Sequence, residues 1–404
     1  MKMLLVLISV PFIISFAQDN GKQEPTVNIS GFIKNDFFFD SRQTSNFREG
    51  HFLLYPENKL PDEYGKDINA KSSLNALSIQ SRITGKFNGP DVLGGKLTGM
   101  LEGEFFGTSN ADINGFRLRH AFINLKWENT ALLMGQTWNP MFITAAFPQV
   151  VSFNTGSPFQ PFSRNPQIKL TQSFNNIDFI AAIIMQRDFT SPGPGGFSSM
   201  YLRNSVLPEL DFQIQYKTKS FFAGAGIDYK SLIPSIETTK NVFTDERVSG
   251  ISSMLYLKII SGEFKFLAEG VYGQNLADLL MLGGYAVTSV DTVTGFESYT
   301  PLDVYSIWVD VSYGEKLQPG IFAGFTKNLG ASNEIVGAIY GRSANIDKVF
   351  RVSPRIIFNV DCFRFAFESE LTTAYYGSVD KFGKVENSEE VLNFRVLFAT
   401  YFFF

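Results

Sequence analysis

The sequence predicts an all-β fold, a closed transmembrane antiparallel β-barrel of about sixteen strands. Three observations predict it. Apolar and polar residues alternate over many short segments, the connections alternate between short and long, and the chain ends on an aromatic strand. A period of two residues is typical of strands, and strands with one apolar and one polar face suit a barrel with lipid outside and water inside. Membrane lipid is therefore the expected partner of the outer surface.

The final strand, residues 391–404, gives the clearest signal. Phe394, Phe398, Phe402 and Phe404 share one face, and Thr400 interrupts it. A strand with such a face at a chain terminus is hard to place in a soluble protein, whereas it can close a barrel. A terminal aromatic strand also resembles the signal that is read by the barrel-assembly machinery, which we expect as a partner during biogenesis.

Residues 1–17 have the pattern of a secretory signal peptide. Lys2 is followed by a short apolar stretch and by Ser15-Phe16-Ala17, a small-residue cleavage site. The stretch is too short for a spanning helix, and no later segment has the roughly 18 unbroken apolar residues that such a helix needs. We expect one domain from residue 18 to residue 404, located in the bacterial outer membrane.

The composition excludes several classes of function. A net charge of −4 argues against nucleic acid as a partner. One cysteine, Cys362, cannot form an internal disulfide, and two histidines leave little scope for histidine-based metal or acid–base chemistry. No cofactor is expected. Aromatic residues make up 15% of the chain, which suits a barrel with aromatic girdles.

The strands can be placed in order by their alternation. In residues 26–40, Ile29, Ile33 and Phe37 on one face alternate with Lys34 and Asp36 on the other. The other strands are predicted at 77–87, 96–106, 116–127, 131–138, 167–174, 177–188, 210–217, 221–230, 248–260, 263–274, 302–313, 320–328, 346–359, 363–377 and 391–404.

The connection near residues 139–166, between the fifth and sixth strands, is predicted to fold into the barrel. Its four prolines restrict the backbone, so it can hold a fixed constriction. Nearby, residues 179–185 are apolar on both faces, and such a strand needs an apolar partner inside as well as outside. The inward loop is one such partner and a protomer contact is another. Local sequence variation and an ordinary external loop are the alternatives.

Five stretches resemble the DcaP-like trimeric outer-membrane porins, in the form found in Bacteroidetes: residues 115–127, 135–142, 153–168, 186–189 and 353–355. The resemblance spans the chain after the signal peptide. It implies a sixteen-stranded barrel, a homotrimer and passive uptake of small, often anionic or dicarboxylic, solutes. One departure is that only residues 18–25 precede the first strand, where proteobacterial members can carry a coiled-coil extension.

Arg117, Arg119 and His120 form the densest basic cluster. Guanidinium groups suit carboxylates because they can form two parallel hydrogen bonds, so this cluster could bind an anionic solute. The alternative is pairing with the nearby acids Glu102, Glu104 and Asp112, which would neutralise the cluster. The strand's apolar parity, from Ala121 to Trp127, conflicts with an inward position for the arginines, and a β-bulge would reconcile the two.

The residues predicted to line the pore are Arg82, Glu102, Glu104, Arg117, Arg119, Arg164, Arg351 and Arg355. The arginine bias favours anions, because a low-dielectric wall focuses the field of a local basic patch. Acids that face the arginines could instead produce a transverse dipole with little preference for either sign. Salt bridges that merely tie strands together are the structural alternative for each of these residues.

The predicted function is therefore a porin, a passive diffusion channel for small hydrophilic, possibly anionic or dicarboxylate, solutes, and not an enzyme. A transporter of hydrophobic compounds would need an apolar lumen, which the inward charges oppose. An outer-membrane enzyme would need a catalytic arrangement, and neither His51 nor His120 lies in a recognisable nucleophile motif.

Overall fold

A closed antiparallel barrel of sixteen strands makes up most of the computed structural model, which describes residues 24–45 and 47–404. The predicted signal peptide, residues 1–17, lies outside the described residues. The strands are β1 (Thr26–Asp40), β2 (Ser73–Leu77), β3 (Arg82–Val92), β4 (Gly95–Glu104), β5 (Arg117–Lys126), β6 (Thr130–Trp138), β7 (Arg164–Phe174), β8 (Ile177–Ile184), β9 (Glu209–Lys217), β10 (Phe221–Leu232), β11 (Val248–Ser261), β12 (Phe264–Gln274), β13 (Gly283–Val290), β14 (Glu297–Pro301), β15 (Asp303–Tyr313), β16 (Leu317–Gly330), β17 (Ile339–Arg342), β18 (Ile346–Val360), β19 (Phe363–Val379) and β20 (Val385–Phe403). The helical segments are α1 (Met200–Ser205) and two 3-10 turns, Ile68–Ala70 and Ala277–Leu279.

The barrel closes between the first and last strands. β1 pairs with β20 from Phe32 opposite Phe403 to Asp40 opposite Arg395. Its other edge pairs with β3 and then with β2. Closure leaves no open sheet edge, so every backbone group within the hydrocarbon layer can find a partner in the ladder.

One predicted strand, residues 77–87, is interrupted in the structure. β2 and β3 occupy successive positions along β1, and a turn at residues 78–81 separates them. Within that turn, the Ser81 hydroxyl accepts the Lys34 backbone N–H at 3.0 Å and replaces a ladder partner, while Ile79 is buried inside the barrel. The two segments together form one barrel strand.

The outer face is apolar, as the alternation predicts. Phe394, Phe398 and Phe402 are each about 40% exposed, whereas Asn393 and Arg395, on either side of Phe394, are buried on the inner face. Exposed phenylalanines along every other position suit contact with lipid rather than water. Among the described residues, no helix has the length and apolar character needed to cross a membrane.

The connections differ at the two ends of the barrel, which we call the short-turn side and the long-loop side. On the long-loop side, β13, β14 and β17 form a separate three-stranded sheet. The alternation in the sequence predicts neither these three strands nor α1. Period-two alternation is short or absent in all four elements.

Three segments lie inside the barrel: residues 51–55, 139–163 and 276–282. They form an apolar cluster with inward side chains of the wall, including Met254, Tyr256 and Phe322. Ring centroids of Phe106 and Phe153 stack 3.8 Å apart in this cluster. Of these three segments, only 139–163 corresponds to a predicted inward loop.

A charge placed on the outer face should destabilise the barrel if that face meets lipid. Phe398 lies in the middle of the ten or so residues of β20 that cross the hydrocarbon layer. We expect Phe398→Arg to lower the free energy of unfolding by about 2–4 kcal/mol, because an arginine at the bilayer midplane loses its hydration. Urea unfolding of the protein in lipid vesicles measures this change.

The matched control is Glu386→Arg, an exposed position at the long-loop end of the same strand. It should leave the unfolding free energy unchanged. Equal destabilisation by both variants would mean that the band around Phe398 does not face lipid.

Candidate functional site

The segment 139–163 crosses the barrel interior and is anchored at its start and at its middle, on opposite walls. At its start, the Asn139 side chain donates to Glu209 on β9 at 2.9 Å. On the opposite wall, the Glu368 carboxylate on β19 accepts the backbone N–H groups of Val151 and Ser152 at 2.8 and 2.9 Å. The segment therefore divides the interior at a fixed height.

Two of the predicted site residues belong to this anchoring wall. Arg351 on β18 is completely buried and donates to the Ser157 carbonyl at 2.7 Å and to the Leu54 carbonyl at 2.7 Å. It thus holds two inward segments at once. Arg355 forms a two-pronged ion pair with Asp310 on β15, at 2.8 and 2.9 Å.

The other six predicted residues meet on the wall formed by β3, β4, β5 and β7. We call them, with one further acid, the arginine cluster: Arg82, Arg117, Arg119, Arg164, Glu102, Glu104 and Asp188. The buried carboxylate of Glu104 is at its centre. It lies 2.6 Å from Arg117, 2.7 Å from Arg119 and 3.1 Å from Arg82.

Asp188, in the connection after β8, completes the cluster. It accepts two hydrogen bonds from Arg164, at 2.6 and 2.8 Å, and lies 3.3 Å from Arg117. Burial works to raise the pKa of Asp188, but the positive charges of Arg164 and Arg117 outweigh burial and hold the pKa below its ordinary value of 3.8. The contribution of these pairs to stability is thus fully present above that value and fades as the pH falls through the lowered pKa.

A β-bulge brings the basic residues of β5 inward. Glu102 pairs with His120 and the next residue, Gly103, pairs with Leu118, so Arg119 is the extra residue. Arg119 and His120 are consequently both buried on the inner side, while Leu118 faces outward. The bulge resolves the conflict of parity that the sequence shows.

The arginines of the cluster are paired with acids, which is the alternative to solute binding that the sequence leaves open. Glu102 and Glu104 take part, but the third predicted acid, Asp112, does not, and Asp188 occupies that role instead. Four guanidinium groups face three carboxylates. The rings of Trp138 and Phe106 flank the cluster, with the Arg164 guanidinium 4.9 Å from the Trp138 ring and that of Arg117 4.6 Å from the Phe106 ring.

A cavity of about 900 Å³ lies beside the cluster, on the short-turn side of the inward segment. Arg82, Glu102 and Arg119 line one wall, and the opposite wall includes Lys265 and Arg364. The inward segment forms the roof through Phe142, Phe147, Pro148, Gln149, Val150 and Val151. The interior space therefore has charged walls and a largely apolar roof.

Both histidines are packed against other side chains. His51 lies 2.9 Å from Asp36 and stacks between Phe38 and Phe153, and burial lowers its pKa, so that it is neutral at pH 7. His120 lies 3.6 Å from Glu102. Within residues 24–45 and 47–404, no group of three or more potential ligand side chains is arranged to hold a metal ion.

The fold is similar to solved outer-membrane channels. No family model matches the chain, and no curated protein is significantly similar to it. The outer-membrane channel DcaP of Acinetobacter baumannii superposes with a TM-score of 0.70 at 17% identity, over 94% of this chain and 97% of that one. The chain has a porin fold. OmpT of Vibrio cholerae has a TM-score of 0.56 at 11% identity, over 94% and 98% of the two chains, and OmpF of Salmonella typhi has 0.51 at 11%, over 94% and 97%.

The porin fold and the apolar outer band together place the protein in the bacterial outer membrane. The predicted all-β fold class and outer-membrane location are therefore confirmed. The long-loop side corresponds to the cell exterior and the short-turn side to the periplasm, as in bacterial barrels generally.

Several residues of the site could not be found from the alternation. Asp188 lies in a connection, and Asp310 pairs with a strand two positions along the barrel. The sequence predicts Asp188 as the last residue of a strand, within a stretch that resembles the porin family, and does not predict its pairing with Arg164. A search for acids matched to each inward arginine would have pointed to both residues.

Removing the central acid, Glu104, tests how much the arginine cluster contributes to the stability of the barrel. We expect Glu104→Gln to lower the free energy of unfolding by about 3–5 kcal/mol, because three buried guanidinium groups lose their shared counter-charge. Urea unfolding in vesicles again provides the measurement.

Glu389→Gln is the control, since Glu389 pairs with Lys59 on the surface and its side chain is 74% exposed. An exposed pair is screened by water, so this change should have no measurable effect. A Glu104→Gln protein as stable as the control would show that the cluster does not stabilise the barrel.

Proposed function

We propose that the protein is a passive diffusion channel for small hydrophilic solutes. The cavity of about 900 Å³ under the inward segment carries this proposal, because it is an interior space with charged walls inside a porin fold. Solutes would cross the barrel beside the inward segment, and Arg82, Glu102 and Arg119 would be the pore-lining charges. No step requires a cofactor or a chemical reaction.

The apolar cluster inside the barrel is the observation that would favour the alternative function, a transporter of hydrophobic compounds. The aromatic rings inside the barrel, however, pack on one another. Phe153 stacks on Phe106, and Phe52 contacts both Phe153 and Phe162. Because these rings pack on one another, they stabilise the inward segments and do not form an apolar path through the barrel. The cavity is lined by the charged wall instead.

We propose a mild preference for anions, including carboxylates and dicarboxylates. Four arginines face three acids in the cluster, and the low-dielectric wall focuses the remaining positive charge. In the rest of the cavity lining, the two cations Lys265 and Arg364 outnumber the single acid Glu315, and neither cation forms an ion pair within the described part of the chain. Arg351 and Arg355 bind the inward segment and Asp310, so their role in this proposal is to fix the constriction.

We also propose membership of the DcaP-like porins and a homotrimeric assembly. The solved similar structures include a trimer form of OmpT of Vibrio cholerae, which supports an oligomer without specifying its contacts. An apolar groove of about 520 Å³ runs along the outer face of β7 to β10, where the small outward residues Ala181 and Ala225 leave space between larger side chains. A neighbouring protomer would fill this groove. The terminal aromatic strand supports recognition by the barrel-assembly machinery.

Native mass spectrometry of the folded protein in detergent should give a trimer. Ala181→Trp fills the groove and should shift the population towards monomers, because the added ring blocks the approach of the partner. Ala323→Trp, an outward alanine on the opposite wall, is the matched control and should leave the trimer intact. A wild-type protein that is monomeric throughout would contradict the trimer, and a trimer in all three proteins would place its contacts elsewhere.

The channel itself is tested in planar bilayers. Purified protein should produce discrete conductance steps that grow with salt concentration. Arg82→Gln removes a charge that faces the cavity, so the anion-to-cation permeability ratio, taken from reversal potentials across a salt gradient, should fall about twofold.

Lys381→Gln makes the same charge change on the exposed outer surface of a long loop, where Lys381 pairs with Glu334. This control should leave the ratio unchanged. Absence of conductance would refute the channel, whereas cation selectivity in the wild type would refute the anion preference alone.

A further inference from the structure

Arg342 at the end of β17 is buried on the long-loop side, away from the arginine cluster. The residue is only 7% exposed to solvent. The Nε atom donates to the Ala277 carbonyl at 2.6 Å, which fixes the plane of the guanidinium. The guanidinium carbon lies over the Phe197 ring, 4.4 Å from its centroid, and over the Phe47 ring, 5.6 Å from its centroid.

Unlike most buried arginines of this protein, Arg342 has no carboxylate partner. Arg117, Arg164, Arg355 and Arg395 each lie within 3 Å of an acid. Within residues 24–45 and 47–404, no acid lies within ion-pair distance of Arg342, and its two terminal nitrogens have no protein acceptor. They are free to donate four N–H bonds.

Asp278 is the acid whose charge acts on Arg342, but it is already paired with other side chains. Asp278 forms an ion pair with Lys230 and accepts a hydrogen bond from Gln186 at 2.8 Å. Burial lowers the pKa of Arg342 to about 10, and Tyr55 and Asp278 offset this only in part. The guanidinium is therefore still charged at neutral pH, in a place where an uncompensated charge is costly.

We propose that Arg342 and Phe197 form a binding site for small carboxylates at the outer mouth of the barrel. The free edge of the guanidinium would bind the carboxylate through two parallel hydrogen bonds. Phe197 is 51% exposed and its ring packs against the guanidinium, so it offers apolar surface next to a bound group, and a carboxylate with an attached ring fits the site better than acetate. Bound anion would supply the missing counter-charge.

The site deepens the proposed channel function, because it would collect anionic solutes on the exterior side before they reach the cavity. It does not depend on conductance for its detection. The binding reaction can be followed on folded protein in detergent, with benzoate as the probe.

The experiment is an NMR titration of carboxyl-labelled benzoate with the full-length folded protein at constant ionic strength. Wild type should bind benzoate more tightly than acetate, and Arg342→Gln should weaken benzoate binding at least about tenfold. Arg342→Lys should recover part of the affinity, since it keeps the charge but loses the planar stacked group. Circular dichroism and heat-dependent gel mobility establish that each variant is folded.

Arg187→Gln is the matched control, because Arg187 is an exposed arginine in a connection on the same side. It should bind benzoate like wild type. Unchanged affinity in Arg342→Gln, or an equal loss in Arg187→Gln, would overturn the site. Normal binding in a protein without conductance would support the site and refute the channel, so the two proposals fail separately.

Discussion

The interior of this barrel depends on hydrogen bonds between buried wall charges and the backbone of the inward segments. Glu368 accepts two backbone N–H groups, and Arg351 donates to backbone carbonyls of two different segments. Arg395 does the same for Gly50 at 2.6 Å while it pairs with Asp40. Irregular backbone inside a barrel would otherwise lack partners, and the wall charges would lack compensation. Each group satisfies the other.

The outer surface could be predicted from the sequence because lipid imposes a simple rule on it. Every strand presents apolar residues at alternate positions, so the order and number of the strands follow from periodicity. The interior obeys no such rule. Residues 51–55 and 276–282 are apolar because they pack on residues 139–163 and on the inner wall, and nothing in their local pattern distinguishes them from an external connection. The same reason explains why β13, β14 and β17 were missed.

The candidate site was partly predictable for a related reason. Inward arginines and glutamates stand out against an apolar strand, which is how six members of the cluster could be found. Their partners depend on register and on loops, as with Asp188, and a single sequence does not fix either. The bulge at Arg119 shows the limit most clearly, because one extra residue reverses the parity on which the assignment of faces rests.

The anchoring through backbone groups has a consequence for how this protein can diversify. A carboxylate that holds the N–H groups of Val151 and Ser152 is indifferent to the side chains at those positions. The height and path of the inward segment can thus be inherited unchanged while its exposed side chains drift. Substitutions in the roof of the cavity could therefore change the solute specificity during evolution while the position of the constriction is kept.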